Sequence, residues 1–263
     1  MSNFGVGLIT CNRPDFFKNC YDSMKDYVEN LVIVNDGNPF EKDVRDNHHF
    51  IQNEQNQGVG KSKNIALRYL LDKKLDYYFL VEDDMIIKRP EVFSKYIELY
   101  KLTNIHHFNY GFHGPANRDV SYKPCPRLVI NMGDKFKLVL NKHCVGAFSF
   151  YTKHALDVSG LMNPEYHNAF EHISSTFNMI KNKLHPPFWW FADLFQSWDY
   201  IHEQASSENN SAIRFRDDWR SNIQKGVEVF IKEHNVHPLK IPDFTQQEVI
   251  NIVKMFVKGD FSK

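Results

Sequence analysis

Cysteine is scarce: the 263 residues hold four, Cys11, Cys20, Cys125 and Cys144, with no CxxC spacing, so neither a disulfide scaffold nor a cysteine zinc site is expected. No uninterrupted apolar run approaches the roughly 18 residues of a membrane-spanning helix. The first fifteen residues lack a basic segment and a small-residue cleavage site, so no signal peptide is read and a cytoplasmic location is expected (host cytoplasm if phage-encoded). Charge of neither sign is in excess, with 32 Lys plus Arg against 32 Asp plus Glu, which excludes a global field toward DNA or acidic lipid. A local basic patch stays open. Internal repeats and low-complexity linkers are absent. What is abundant is core material: 42% of residues are hydrophobic, including 22 Phe, which excludes a disordered or collagen-like chain. The length suits one large α/β domain or two small ones.

Strand and helix patterns alternate through the first hundred residues. Gly5 to Ile9, Leu31 to Val34, Phe50–Ile51 and Tyr77 to Val81 read as strands, with the continuous apolar run Leu31 to Val34 buried. Between them lie helical patterns: one capped by Asp15 with Phe16, Phe17, Cys20, Met24, Tyr27 and Val28, and one after Gly58 and Gly60 with Ile65 to Leu71. Pro90 opens a third, bearing Val92, Phe93, Tyr96, Ile97 and Tyr100. Such units imply a mainly parallel sheet covered on both faces, binding ligands at its strand C-termini. Later, Leu128–Ile130 and Phe136–Leu140 suggest a hairpin around Gly133, and about Gln246 to Val257 reads as an amphipathic helix.

Tyr78 to Val81 runs into Glu82-Asp83-Asp84. Consecutive carboxylates at the end of a buried strand repel each other, and a hard divalent cation, Mg²⁺ or Mn²⁺, would relieve that repulsion. The other reading is an exposed acidic turn. Gly58-Val59-Gly60-Lys61-Ser62 contains GKS, but Gln55 stands where a Walker A loop needs glycine.

Four segments occur in order: Thr10-Cys11-Asn12-Arg13, Val34-Asn35-Asp36-Gly37, Asn56-Gln57-Gly58 through Asn64, and Glu82-Asp83-Asp84. Together they resemble the GT-A glycosyltransferases, especially family 2, over about residues 4–100. The likeness continues more faintly through Val145-Gly146-Ala147-Phe148-Ser149-Phe150 and Phe170-Glu171-His172, where the family carries two acids and this chain has His172 for the second. The resemblance implies a GT-A α/β fold, with a transferase domain at 1–225 (donor half 1–100, acceptor half 101–225) and a C-terminal helical extension at 226–263. It implies metal-dependent, inverting transfer of a sugar from a nucleotide sugar, a UDP-sugar, to a hydroxyl of a glycan or lipid-linked acceptor.

Carried over residue by residue, the resemblance places Thr10, Asn12 and Arg13 along the nucleotide and has Asp36 accept from the base. Gly58 and Lys63 approach diphosphate and ribose, Glu82, Asp83 and Gly146 lie at the ribose or donor sugar, and Asp84 binds the metal, Mn²⁺ or Mg²⁺. Glu171 is the expected general base, the other reading being an ordinary helix-surface Glu. His202 is the expected further metal ligand among thirteen histidines, while His106, His107 and His113 read as loop or core residues. Trp189 and Trp190 suit either acceptor stacking or core packing. Arg214, Arg216 and Arg220 suit an anionic acceptor, or pairing with Asp217 and Asp218. Besides a non-catalytic sugar-binding module, two alternatives stand beside this reading. One is a phage-type DNA glycosyltransferase acting on a hydroxymethylated base, with nucleic acid as acceptor. The other is a nucleotidyltransferase.

Overall fold

The computed structural model describes residues 3–40, 48–133, 136–204 and 217–261. The first half runs β1 (Phe4–Thr10), α1 (Pro14–Asp22), β2 (Asn30–Asn35), β3 (His49–Gln52), α2 (Val59–Asp72), β4 (Tyr77–Glu82), β5 (Met85–Ile87) and α3 (Val92–Thr103). The second runs β6 (His107–Asn109), β7 (Leu128–Asn131), β8 (Lys137–Asn141), β9 (Phe148–Thr152), α4 (Lys153–Ser159), α5 (Glu171–Lys181), β10 (Phe191–Leu194), β11 (Ile201–Glu203), α6 (Trp219–His234) and α7 (Gln246–Lys258).

The central sheet has the order β3-β2-β1-β4-β9-β6. Its first four strands are parallel, and β9 runs antiparallel to both β4 and β6. Parallel strands must be covered on both faces, and their alternation divides the core accordingly. Val6, Leu8, Phe79 and Val81 face α1 and α3, where Phe79 meets Phe93 edge-on at 4.9 Å. Val32, Val34, Tyr78 and Leu80 face Ala66, Leu67 and Leu70 of α2. Gly7 permits that second contact, since a Cβ there would lie 2.6 Å from Ala66 Cβ. Strand order reverses at β1, with β2 on one side and β4 on the other, and such a switch point opens a crevice at the strand C-termini.

Two small sheets complete the site half. The expected hairpin is the antiparallel pair β7–β8, extended by β10. β11 pairs antiparallel with β5, directly after the acidic segment. The first helix is shorter than its pattern suggests. It ends at Asp22, so Met24 and Val28 are buried beyond it while Tyr27 is 61% exposed. Arg13 occupies its cap position, with Pro14 at the start and Asp15 in the first turn, where the helix dipole favours an acid. α6 runs unbroken through residues 225–226, the boundary expected for the extension, and α7 buries Val249, Val253 and Phe256 in the main core. Among the described residues no helix is long and apolar enough to cross a membrane.

Candidate active site

A cavity of about 330 Å³ opens at the switch point. Thr10 from β1, Asp36 after β2, Glu82, Asp83 and Asp84 from the end of β4, and Gly146, Glu171 and His172 from the second half all line it. Sequence positions more than 150 apart thus share one wall.

The three acids do not face each other unpaired. Lys63 Nζ lies 2.6 Å from Glu82 Oε1. Arg13 forks across Asp83 and Asp84, reaching Asp84 Oδ2 at 3.2 Å. Thr10 Oγ1 donates to Asp83 Oδ2 at 2.7 Å, and His113 Nε2 stands 3.4 Å from Asp84 Oδ2. Burial pushes the Asp83 carboxyl up to about 7, even against Arg13. For Asp84 burial acts in the same direction, but His113 and then Arg13 outweigh it and hold the group at about 2. His113 responds in kind: burial opposes its charge, yet Asp84 and Glu203 raise it to about 9.

Gln204 fixes the backbone of this turn. Its amide N–H donates to Asp84 O at 2.7 Å, and its side chain donates to Asp83 O at 2.7 Å and Phe16 O at 2.8 Å. The β5–β11 ladder sets Gln204 there and brings Glu203 beside His113 at 3.5 Å.

At the other end of the cavity, Lys63 also reaches Glu171 Oε1 at 3.1 Å and the carbonyl of Gly146 at 3.0 Å. Lys63 is 1% exposed and Glu171 3%, so this is a buried bridge between α2 and α5, and Lys63 is fully engaged by protein groups. Burial alone would raise the Glu171 carboxyl, but Lys63 and then His172 hold it well below the ordinary carboxylate range. His172 Nδ1 lies 3.0 Å from Glu171 Oε1.

Asp36 is bonded closely by its own chain. Its Oδ1 accepts from Asn53 Nδ2 (2.6 Å) and the Gln57 amide (2.7 Å), and its Oδ2 from Asn56 Nδ2 (3.0 Å) and the Gly58 amide (2.8 Å). A carboxylate has about four lone-pair sites. The chain itself fills these, so Asp36 shapes the 56–58 loop while also lining the cavity. Gly58 is required in that loop: φ is +85°, and a Cβ would meet His167 O at 2.3 Å. Asn12 is exposed and accepts from the Asn38 amide at 2.7 Å.

Several expected residues lie elsewhere. His202 is exposed and outside the cavity wall; in a strand the next position faces the other way, and Glu203, also outside the wall, reaches the cavity residue His113 at 3.5 Å. Trp189 Nε1 donates to Ile241 O at 3.0 Å, and Trp190 Nε1 to Asp243 Oδ1 at 2.9 Å under the Arg127 guanidinium. Both rings are packing against the C-terminal segment, outside the cavity wall. Arg220 is exposed on α6, and Arg214 and Arg216 lie outside the described residues. His106 and His107 are buried core groups as expected, but His113 is a cavity residue. Its setting between Gly111 and Gly114 was the available signal. Trp219, at the start of α6, also lines the cavity and had none.

The donors fit a hard divalent cation. Asp84 Oδ1 is buried with no protein hydrogen bond, and His113 Nε2 likewise lacks one. Among the described residues no three His, Cys, Asp or Glu side chains form a ready cage. Mg²⁺ sites of this kind use one or two carboxylates and complete the shell with substrate phosphates.

No protein-family profile matches the chain. An uncharacterized glycosyltransferase of Acanthamoeba polyphaga mimivirus is 25% identical over 236 residues, 85% of this chain and 87% of its own length. The fold matches S. aureus TarS (TM-score 0.56, 15% identity) over 100% of this chain. It matches GalNAc-T7, solved with UDP, GalNAc and Mn²⁺, over 98% (TM-score 0.59, 11% identity). The chain spans only 44% of TarS and 56% of GalNAc-T7. The likeness covers both halves of the chain and establishes the GT-A fold.

Proposed function

For this glycosyltransferase of GT-A fold we propose metal-dependent transfer of a sugar from a nucleoside diphosphate sugar, a UDP-sugar first, to a glycan hydroxyl. The observation that carries the reading is Asp84: a buried, ionised carboxylate at the C-terminal end of β4 whose Oδ1 has no protein hydrogen bond. Asp84 would hold the cation, and His113 would join it on giving up the Nε2 proton that Asp84 and Glu203 favour. When bound, the cation neutralises charge on the departing diphosphate, an effect worth several kcal/mol.

The chain's own groups do the remaining work. Arg13 fixes the Asp83–Asp84 turn, and the Asp36-centred loop holds the backbone at the opposite lip of the crevice. The Lys63 bridge ties the donor-side Glu82 to Glu171 on the acceptor side. Trp219 lines the cavity, and an indole there suits stacking on an acceptor sugar. Transfer by direct displacement inverts the anomeric centre and requires a base to take the acceptor proton.

The test is nucleoside diphosphate release from UDP-glucose, UDP-galactose, UDP-GlcNAc, UDP-GalNAc and GDP-mannose with Mn²⁺, with and without oligosaccharide acceptors. The reading expects turnover of at least one UDP-sugar, abolished by EDTA. Turnover of none, or full activity in EDTA, contradicts it.

A further inference from the structure

We propose that His172, rather than Glu171, takes the acceptor proton, with Glu171 acting as a positioning residue that orients the imidazole. The proposal rests on the transferase reading above and deepens it.

Glu171 is poorly placed to be the base. Its Oε1 is already held by Lys63 at 3.1 Å and by His172 at 3.0 Å, and the side chain is 3% exposed. A carboxylate stabilised this strongly by a buried ammonium is a weak proton acceptor. His172 differs on each count. Both side chains line the cavity, but that of His172 is 21% exposed against 3% for Glu171, and among the described residues its hydrogen bond is the one from Nδ1 to Glu171.

That bond fixes the tautomer. An ionised carboxylate only accepts, so in the neutral imidazole Nδ1 carries the hydrogen and Nε2 keeps its lone pair. The ring is held in place by packing as well as by this bond. Gly146 supplies the surface: a Cβ there would lie 2.7 Å from the His172 Cγ, so only glycine lets the imidazole sit this close. The carbonyl of the same Gly146 accepts from Lys63, so ring, carboxylate and ammonium share one platform. A histidine oriented by a carboxylate through Nδ1 and reactive at Nε2 is a known arrangement for general bases.

The step balances. The acceptor oxygen forms its bond to the anomeric carbon while the bond from that carbon to the diphosphate oxygen breaks. The electron pair leaves with the diphosphate, and the hydroxyl proton passes to Nε2. The imidazolium formed is stabilised by the adjacent Glu171 carboxylate.

Two measurements test this. In UDP release from a UDP-sugar the parent turns over, with water or a saccharide as acceptor, His172→Gln should lower the single-turnover rate by roughly 10²–10⁴. UDP affinity by calorimetry should stay within about threefold, because His172 does not touch the acidic turn. Added imidazole should restore part of the rate in His172→Ala. A His172→Gln rate within threefold of the parent, or a loss explained by weaker UDP binding, overturns the assignment. A parent that turns over no nucleotide sugar refutes the transferase reading itself. Independently of activity, ¹⁵N shifts of His172, assigned by their absence in His172→Gln, should show a protonated Nδ1 and a bare Nε2. The opposite tautomer overturns the proposal.

Discussion

Lys63, in the first turns of α2, and Glu171, the first residue of α5, form a buried ion pair 3.1 Å apart, although 108 residues separate them. Removing one partner of such a pair leaves the other charge buried and uncompensated, typically at a cost of about 3–5 kcal/mol. Lys63→Met should therefore lower unfolding stability by about that amount in urea titrations. Adding Glu171→Gln to Lys63→Met should cost less than the two single losses summed, because the second change removes the stranded charge. Strictly additive losses would mean the pair is not coupled.

The Asp36 carboxylate accepts four hydrogen bonds from the chain itself. Asp36→Asn places an amide N–H₂ against existing donors and should destabilise the fold by about 3 kcal/mol. If Asp36 instead read a uracil base, the substitution would leave the melting temperature alone and weaken UDP binding selectively.

His113 makes stability depend on pH in a defined direction. Its folded pKa of about 9 lies above the ordinary value near 6.5. A raised histidine pKa contributes stability that is fully present below about pH 6.5 and is lost as pH rises through about 9. In EDTA, the protein should therefore lose roughly 2–3 kcal/mol between those limits. His113→Asn should flatten that part of the profile. An unchanged slope in the variant would assign the dependence to another group.

Much of this was legible in the sequence, for reasons that particular residues make plain. Leu31 to Val34 and Tyr77 to Val81 are apolar runs followed at once by polar clusters, and they are the parallel strands whose ends build the cavity. The acidic segment was equally visible. What could not be read was pairing at long range. Glu203 reaches His113 because β11 lies beside β5, and a one-residue difference in facing separates it from His202. His113 was obscured by its neighbours His106 and His107, which are core residues. Trp189 and Trp190 looked available as a stacking platform, yet their indole N–H groups are satisfied by Ile241 and Asp243, some fifty positions away.

Metal-dependent nucleotide binding at Asp84 is the central claim, and calorimetry of UDP against the parent and Asp84→Asn tests it most directly. The account predicts that Mn²⁺ strengthens UDP binding to the parent at least tenfold over EDTA, and that Asp84→Asn removes this difference while keeping its fold. Equal UDP affinity in Mn²⁺ and in EDTA for the parent, or an Asp84→Asn variant that keeps the full metal effect, would contradict it.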